Sequence, residues 1–256
     1  MDTRTTTVPA GPVRVEAELD AGLSRWLWLV KWLLLVPHYV VLAFLWIAFV
    51  VVSVAAFFAI LFTARYPGSL FAFNAGVLRW SWRVHYYSAG AFGTDRYPPF
   101  SLGEEPDYPA RLHIARPGRL SRGLVLVKWW LLAIPHYVVV GFLSGGGYGG
   151  GGGYGGGGHG GGGDHGDGGG SGGGPWTWSV GLIMVLAFFG IIAKAFTGRY
   201  PRGLFDLVVG CNRWVLRVAA YVALMTDVYP PFRLDQGGAE RDAGRQDGPR
   251  TPGGAI

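Results

Sequence analysis

Residues 32–64 read WLLLVPHYVVLAFLWIAFVVVSVAAFFAILFTA: 33 consecutive positions between Lys31 and Arg65 without a charged side chain. About 20 apolar helical residues reach across a hydrocarbon core ~30 Å thick. The first expectation is therefore insertion in a membrane. The surrounding composition agrees. Half of the 256 residues are apolar, 15% are aromatic and only 15% are charged, where a soluble domain carries about 25% charge. Residues 1–20 are polar, with Arg4, Arg14, Glu16, Glu18 and Asp20. The apolar run that begins near Leu23 is far longer than the ~7–15 residues of a cleavable signal core, so it is expected to stay as an anchor. The lone Cys211 cannot form an internal disulfide.

The run belongs to a repeat. Leu29-Val30-Lys31-Trp32 returns as Leu126-Val127-Lys128-Trp129, and Pro37-His38-Tyr39-Val40-Val41 as Pro135-His136-Tyr137-Val138-Val139. Arg65-Tyr66-Pro67 returns as Arg199-Tyr200-Pro201. Arg79-Trp80 and Arg83-Val84 match Arg213-Trp214 and Arg217-Val218. Thr94-Asp95 with Tyr97-Pro98-Pro99-Phe100 matches Thr226-Asp227 with Tyr229-Pro230-Pro231-Phe232. Several unrelated residue types coincide in one order, which is the signature of an internal duplication. The modules cover 13–102 and 109–234, joined by a linker at 103–108. Residues 1–12 and 235–256 are polar and are expected to be disordered.

The second copy holds an insertion. Residues 145–174 contain 23 glycines together with Tyr148, Tyr154, His159, Asp164, His165, Asp167 and Ser171, and read as a flexible loop. The insertion falls where the first copy reads Phe44-Leu45-Trp46. Such a loop cannot interrupt a helix inside a bilayer, because its backbone polar groups would go unpaired. The run Ser24–Ala64 is therefore expected to be a tight hairpin of two spans turning near Phe44–Ile47, with one long helix kinked at Pro37 as the rival. Arg25, Lys31 and Arg65 would then share one side of the membrane, as would Arg122, Lys128, Lys194 and Arg199, with the lysines snorkelling to the surface. The positive-inside tendency makes that side cytoplasmic. The expectation is a multi-pass protein of the inner (plasma) membrane with both termini in the cytoplasm.

After each Arg-Tyr-Pro a further helix is expected, at about 68–92 and 202–225, with Pro67 and Pro201 at its start. Asp206, Gly210, Arg213 and Arg217 share a face at helical spacing. Two arginines are costly near the centre of a span, so the helix is expected to lie at the interface or to re-enter against the spans. The alternating stretches Val13, Val15, Ala17, Leu19 and Leu112, Ile114 suggest short strands, pairing with the Pro-Pro-Phe segments as cytoplasmic β-caps. The expected fold class is thus an all-α integral membrane protein with two tandem modules, each a transmembrane helical hairpin plus an interfacial or re-entrant amphipathic helix.

Thr-Gly-Arg-Tyr-Pro-Arg-Gly-Leu-Phe-Asp at 197–206, Asn-Arg-Trp-Val-Leu-Arg-Val at 212–218 and Thr-Asp-Val-Tyr-Pro-Pro-Phe at 226–232 together resemble a bacterial membrane domain of unknown function, domain of unknown function 4389, often duplicated in actinobacterial proteins. The likeness extends over both modules, with departures at Ala64, Ser69 and Ala72. It implies a membrane fold and a duplication, and brings no activity.

The candidate contact residues for lipid or a partner are Arg65, Tyr66, Arg79, Arg83, Arg199, Tyr200, Arg213, Arg217 and Asp206. The bland alternatives are topology anchors at Arg-Tyr-Pro and internal pairs of the arginines with Asp206, Asp95 or Asp227. His38 and His136 are polar candidates within apolar runs, as titrating groups or as histidines bonded to carbonyls that proline leaves free. No catalytic residue stands out: Gly-x-Ser-x-Gly, His-Glu-x-x-His and cysteine pairs are absent from the sequence. His159, Asp164, His165 and Asp167 lack the rigid framework of a metal site, so no metal and no cofactor are expected. The expected partners are the bilayer, anionic lipids included, and a membrane protein or a second copy, but no nucleic acid. A membrane scaffold or accessory protein is the leading function. A small transporter or channel built from parallel repeats is the alternative, and a lipid-modifying enzyme comes third.

Overall fold

The computed structural model describes residues 11–20, 22–24, 26–88, 90–144, 181–232 and 234. The described elements run in the order β1 (Val13–Ala17), α1 (Trp28–Leu34), α2 (Val36–Thr63), α3 (Gly68–Tyr87), β2 (Ala110–Ile114), α4 (Arg122–Val127), a π turn (Lys128–Leu132), α5 (Ile134–Ser144), α6 (Leu182–Thr197) and α7 (Arg202–Val222). The described residues are mostly helical with one two-stranded sheet, whose strands fall at the alternating stretches around Val13–Ala17 and Leu112–Ile114. Most of the Gly-rich segment's flanks and all of residues 145–174 fall outside the described residues, as do 1–10 and 235–256.

The expected hairpin in residues 24–64 is not formed. Phe44–Ile47 lies inside α2, a single helix of 28 residues. Nothing in that stretch breaks a helix: there is no glycine, proline or asparagine to open the ladder. The only interruption is Leu35, between α1 and α2, where Pro37 has no N–H to offer the Leu33 carbonyl. The rival reading, one long helix bent at Pro37, is the one the chain adopts. The real helical hairpin is α2–α3, and its turn is Ala64–Pro67. Ala64 closes α2 with a left-handed backbone, φ 57°, where the second copy uses Gly198, φ 75°. Glycine takes that conformation without the steric cost that a Cβ brings.

In the second copy α5 and α6 together answer α2. Ser144 ends α5 at the position of Trp46, and Leu182 starts α6 at that of Ala48. The copies also differ by one residue that pattern matching passed over. Lys31 precedes Pro37 by six positions and Lys128 precedes Pro135 by seven. The extra residue is absorbed as the π turn Lys128–Leu132, which is how a one-residue insertion is commonly housed in a helix. It keeps Lys128 and His136 on the same side, as Lys31 and His38 are. Deleting the exposed Leu131 should convert this turn to the first copy's spacing and leave Tm within about 2–4 °C of wild type, a shift of ~1 kcal/mol at most. Deleting Leu33 from α1 should instead turn His38 away by about 100° and abolish the cooperative transition, read by circular dichroism in detergent.

The expected pairing of strands with Pro-Pro-Phe is also corrected: β1 and β2 pair with each other. They are antiparallel, with Val13 opposite Ile114, Val15 opposite Leu112 and Ala17 opposite Ala110. Both strands start 18 residues ahead of the repeated lysine, Val13 before Lys31 and Ala110 before Lys128. Val15 and Leu112 are therefore equivalent residues that face one another, so a two-fold axis passes between them. The copies meet as the halves of an isologous dimer do.

The contacts obey that axis. Arg79 on α3 donates from Nε to the Leu112 carbonyl at 3.0 Å, and Arg213 on α7 donates from Nε to the Val15 carbonyl at 2.8 Å. Each copy lends its strand to the other copy's helix. Trp28 of α1 meets Phe188 of α6 edge-on, ring centroids 6.1 Å apart, while α4 packs on α2.

Three layers result. The sheet presents Val13, Val15, Ala17, Ala110, Leu112 and Ile114 inward, and sends Arg14, Glu16, Arg111 and His113 outward. Helices α3 and α7 form the middle layer. The third layer is α1–α2 and α4–α6. Of the two placements expected for the helix after Arg-Tyr-Pro, at the interface or folded back against its neighbours, the chain adopts the folded-back one: 13 of 20 residues are buried in α3 and 14 of 21 in α7. These helices are the core, flanked on both sides. By contrast only five of the 28 residues of α2 are buried, the stripe His38, Leu42, Phe49, Ala56 and Ile60.

Candidate functional site

Two features stand out from this architecture: a pair of equivalent buried polar clusters, and a broad apolar face with basic residues at its ends.

Each cluster begins with a lysine held by its own copy's Thr-Asp. Lys31 Nζ donates to the Thr94 carbonyl at 2.5 Å and pairs with Asp95 Oδ1 at 2.9 Å. It lies over the Tyr87 ring, 4.6 Å from its centroid. Lys128 repeats this, donating to the Thr226 carbonyl, pairing with Asp227 Oδ1 at 3.0 Å and lying 4.7 Å from the Tyr221 centroid. The other aspartate oxygen accepts the backbone N–H of Ser24 or of Ser121, tying down the start of α1 or α4. These lysines are buried and do not snorkel. A carboxylate from the same copy reaches them first, and a buried charge persists only when paired and hydrogen-bonded. Sequence reasoning placed Lys31 and Lys128 at the surface and passed over the pairing. The signal was there: Lys-Trp and Thr-Asp recur together in a chain poor in charge.

Two turns further along the same helix, a histidine sits in an aromatic cage. His38 stacks on Phe100, centroids 3.9 Å apart, with Tyr97 at 4.9 Å and Trp80 at 5.8 Å. Trp80 Nε1 donates to His38 Nδ1 at 3.1 Å, which makes this imidazole nitrogen an acceptor. His136 stacks on Phe232 at 4.5 Å beside Tyr229 at 4.8 Å and Trp214 at 5.3 Å. Both histidines are buried. Neither uses the carbonyl that the neighbouring proline frees. Tyr-Pro-Pro-Phe is thus the clasp that folds back over the histidine, with the prolines fixing the extended backbone that puts Tyr and Phe on the ring.

The arginines of the middle layer serve the sheet and its loops. Arg79 also pairs with Glu104 at 2.7 Å. Arg83 donates to the Ser101 carbonyl and, at 3.2 Å, to that of Gly103. Arg213 is fully buried and Arg217 nearly so. Asp206 is half-buried, and among the described residues it forms no ion pair. The partners of Arg79, Arg83 and Arg213 are largely backbone carbonyls rather than Asp206, Asp95 or Asp227, because the strand and loop ends offer acceptors at that depth.

The Arg-Tyr-Pro turns split in two. Arg65 and Arg199 are exposed, while Tyr66 and Tyr200 are buried. Tyr66 accepts a hydrogen bond from Asn74 Nδ2 at 2.9 Å. Burial pushes its hydroxyl pKa up to about 12, tempered by that bond. Tyr200 presses so closely on Gly190 that a Cβ there would lie 2.3 Å from its hydroxyl. The tyrosines therefore pin the turn to the core instead of forming an outer belt. Arg116 donates to the Tyr66 carbonyl at 3.0 Å. With Arg65, Tyr66, Pro117 and Gly118 it lines a hollow of about 340 Å³, and the exposed Arg119 and Arg122 follow in the chain.

The apolar face carries Phe44, Ile47, Val51, Val54, Phe58 and Phe62 on α2, all at least half exposed. On the second copy it continues through Val138, Phe142, Phe189 and Phe196. Helix α2 is long and apolar enough to cross a membrane. Among the described residues no group of three or more metal-ligating side chains comes together.

No curated protein and no solved structure matches the chain. One family matches twice, at residues 25–101 and 177–233, together more than half of the chain and once in each copy. The two matched stretches contain both Tyr-Pro-Pro-Phe clasps and all four middle-layer arginines, and on that match the chain belongs to the family described as domain of unknown function DUF4389.

Proposed function

We propose that this protein is a membrane-embedded scaffold: a rigid two-fold platform that holds to the bilayer by its apolar layer and offers its sheet and loops to the aqueous side. One observation carries this reading. The longest and most apolar helix, α2, buries only five of its 28 residues, whereas the more polar α3 and α7 bury 13 of 20 and 14 of 21. In water an exposed apolar patch rarely exceeds a few hundred Å², and the face described above runs the whole length of a 28-residue helix. Lipid is the solvent in which that arrangement is stable. The polar groups of the buried clusters are tied to one another, Lys31 to Asp95 at 2.9 Å and the Thr94 hydroxyl to the Asp20 carboxylate, and in this reading their role is to hold the platform together. The basic turns at Arg65 and Arg199, with Arg116 and Arg202, supply charges at headgroup level, each worth about 1 kcal/mol toward anionic lipid.

The protein expressed in cells should sediment with membranes after an alkaline carbonate wash and leave them only in detergent. Recovery as a compact monomer in the aqueous supernatant would sink the proposal. Replacing Arg65, Arg116, Arg199 and Arg202 with alanine should weaken retention on phosphatidylglycerol-containing vesicles at low salt, with little change on pure phosphatidylcholine. Crosslinking in native membranes, with proteins and lipids identified together, reads the partner that the platform carries.

A further inference from the structure

We infer that the apolar layer lies along the membrane plane within one leaflet, α2 parallel to the surface, instead of crossing the bilayer. This deepens the membrane reading above and rests on it.

Two independent observations lead here. The first is where the charges are. Helix α3 packs against α2 along most of its length: His38 meets Trp80, Trp46 Nε1 donates to Ser81 Oγ at 3.2 Å, and Asn74 Nδ2 donates to Ser53 Oγ at 3.0 Å. The sheet and its flanking loops cover roughly the far side of α3, again from end to end. Arg116 sits against Gly68, Leu102 against Gly76, Arg79 binds Leu112, and the Tyr86 hydroxyl donates to the Glu18 carbonyl at 2.5 Å. An upright α2 would bring all of this into the hydrocarbon with it. Glu104 and His113, both more than half exposed and 3.3 Å apart, stand beside Arg79 midway along α3. Arg111 bridges Glu16 and Glu18 nearby. Exposed charges and a sheet that, among the described residues, pairs only its own two strands are not tolerated inside lipid. With α2 in the plane, the same groups stand in water above the middle layer and the apolar face points down into the acyl chains.

The second observation is where the insertion falls. Helix α5 ends after 11 residues, about 16 Å of helix, and the polar Gly-rich sequence follows before α6. If Ile134 stood at one interface of an upright α5–α6, as Val36 would for an upright α2, that exit would lie about half-way into the ~30 Å core, where an inserted polar sequence would leave backbone groups facing lipid. In a helix lying at the interface, every residue is within reach of water, and an insertion is permitted anywhere along it. The continuity of α2, which defeated the hairpin expectation, becomes consistent with the insertion once the helix lies flat.

The test uses single cysteines at three exposed positions on one stripe, Phe44→Cys, Val51→Cys and Phe62→Cys, in the full chain with the buried Cys211 in place. Phe44 and Phe62 are separated by about 27 Å of helix. Each is labelled with bimane and reconstituted into phosphatidylcholine–phosphatidylglycerol vesicles carrying a nitroxide either near the headgroup or near the chain end. The inference expects one ratio of shallow to deep quenching at all three sites, with shallow dominant. Deep quenching at Val51 flanked by shallow quenching at Phe44 and Phe62 overturns it and leaves the membrane reading standing. Absence of quenching at all three by either nitroxide overturns both. A fourth label at His113→Cys should escape both nitroxides, and quenching there by the deep one also overturns the inference.

Discussion

Asp227→Ala should cost about 3–5 kcal/mol of stability, the range seen when one partner of a buried ion pair is removed. Lys128 is fully buried, and among the described residues the acid that pairs with it is Asp227 at 3.0 Å. Without it the ammonium keeps the Thr226 carbonyl and the Tyr221 face, which cannot offset the desolvation of a full charge. The same carboxylate accepts the Ser121 N–H at 2.7 Å, so the start of α4 also loses its tie. Asp95→Ala should act alike on Lys31, Ser24 and α1. Thermal unfolding in detergent reads the effect. The double change Lys128→Met with Asp227→Asn should recover more than half of the loss, because it removes the charge along with its partner. If the double variant is as unstable as Asp227→Ala alone, the ion pair is not what holds the clasp.

Arg213→Ala should be as damaging, at about 3–5 kcal/mol, for a different reason. Its long side chain is fully buried, so truncation leaves a cavity. It also removes the hydrogen bond to the Val15 carbonyl of the other copy's strand, and hydrogen bonds to charged groups are worth about 1.5–3 kcal/mol. Arg79→Ala should cost less: Arg79 is partly exposed, and water can reach the acceptors it leaves. This asymmetry between equivalent residues is measurable by chemical denaturation. Equal effects at the two positions would run against the unequal burial of the two side chains. Arg213→Lys should recover only part, since an ammonium lacks the fixed fork that reaches a carbonyl from Nε.

Much of this site was legible before any coordinates. The repeated lysine, Pro-His, Thr-Asp and Tyr-Pro-Pro-Phe blocks supply residues that meet in the clusters. Their roles were not legible. His38 was weighed as a titrating group or a carbonyl-bonded histidine, and it is a ring stacked on Phe100, 62 positions away. The arginines were weighed against lipid or nearby acids, and two of them, Arg79 and Arg213, bind carbonyls of a strand contributed by the other copy, while Arg83 binds loop carbonyls. Such partners lie far off in sequence, and a carbonyl acceptor is present at every residue, so no pattern of residue types can point to it.

By itself the sequence determined the duplication, the helical character and the long charge-free apolar run of residues 32–64. Each follows from residue identity at short range: order of motifs, absence of charge, absence of helix breakers. Tertiary structure alone decided that Phe44–Ile47 stays helical, that the polar helices α3 and α7 form the core, and that Val15 faces Leu112 across a two-fold axis. Those outcomes depend on which surfaces the chain has available to bury against one another. Burial is a property of the assembled pair of copies, and neither copy read in isolation contains it.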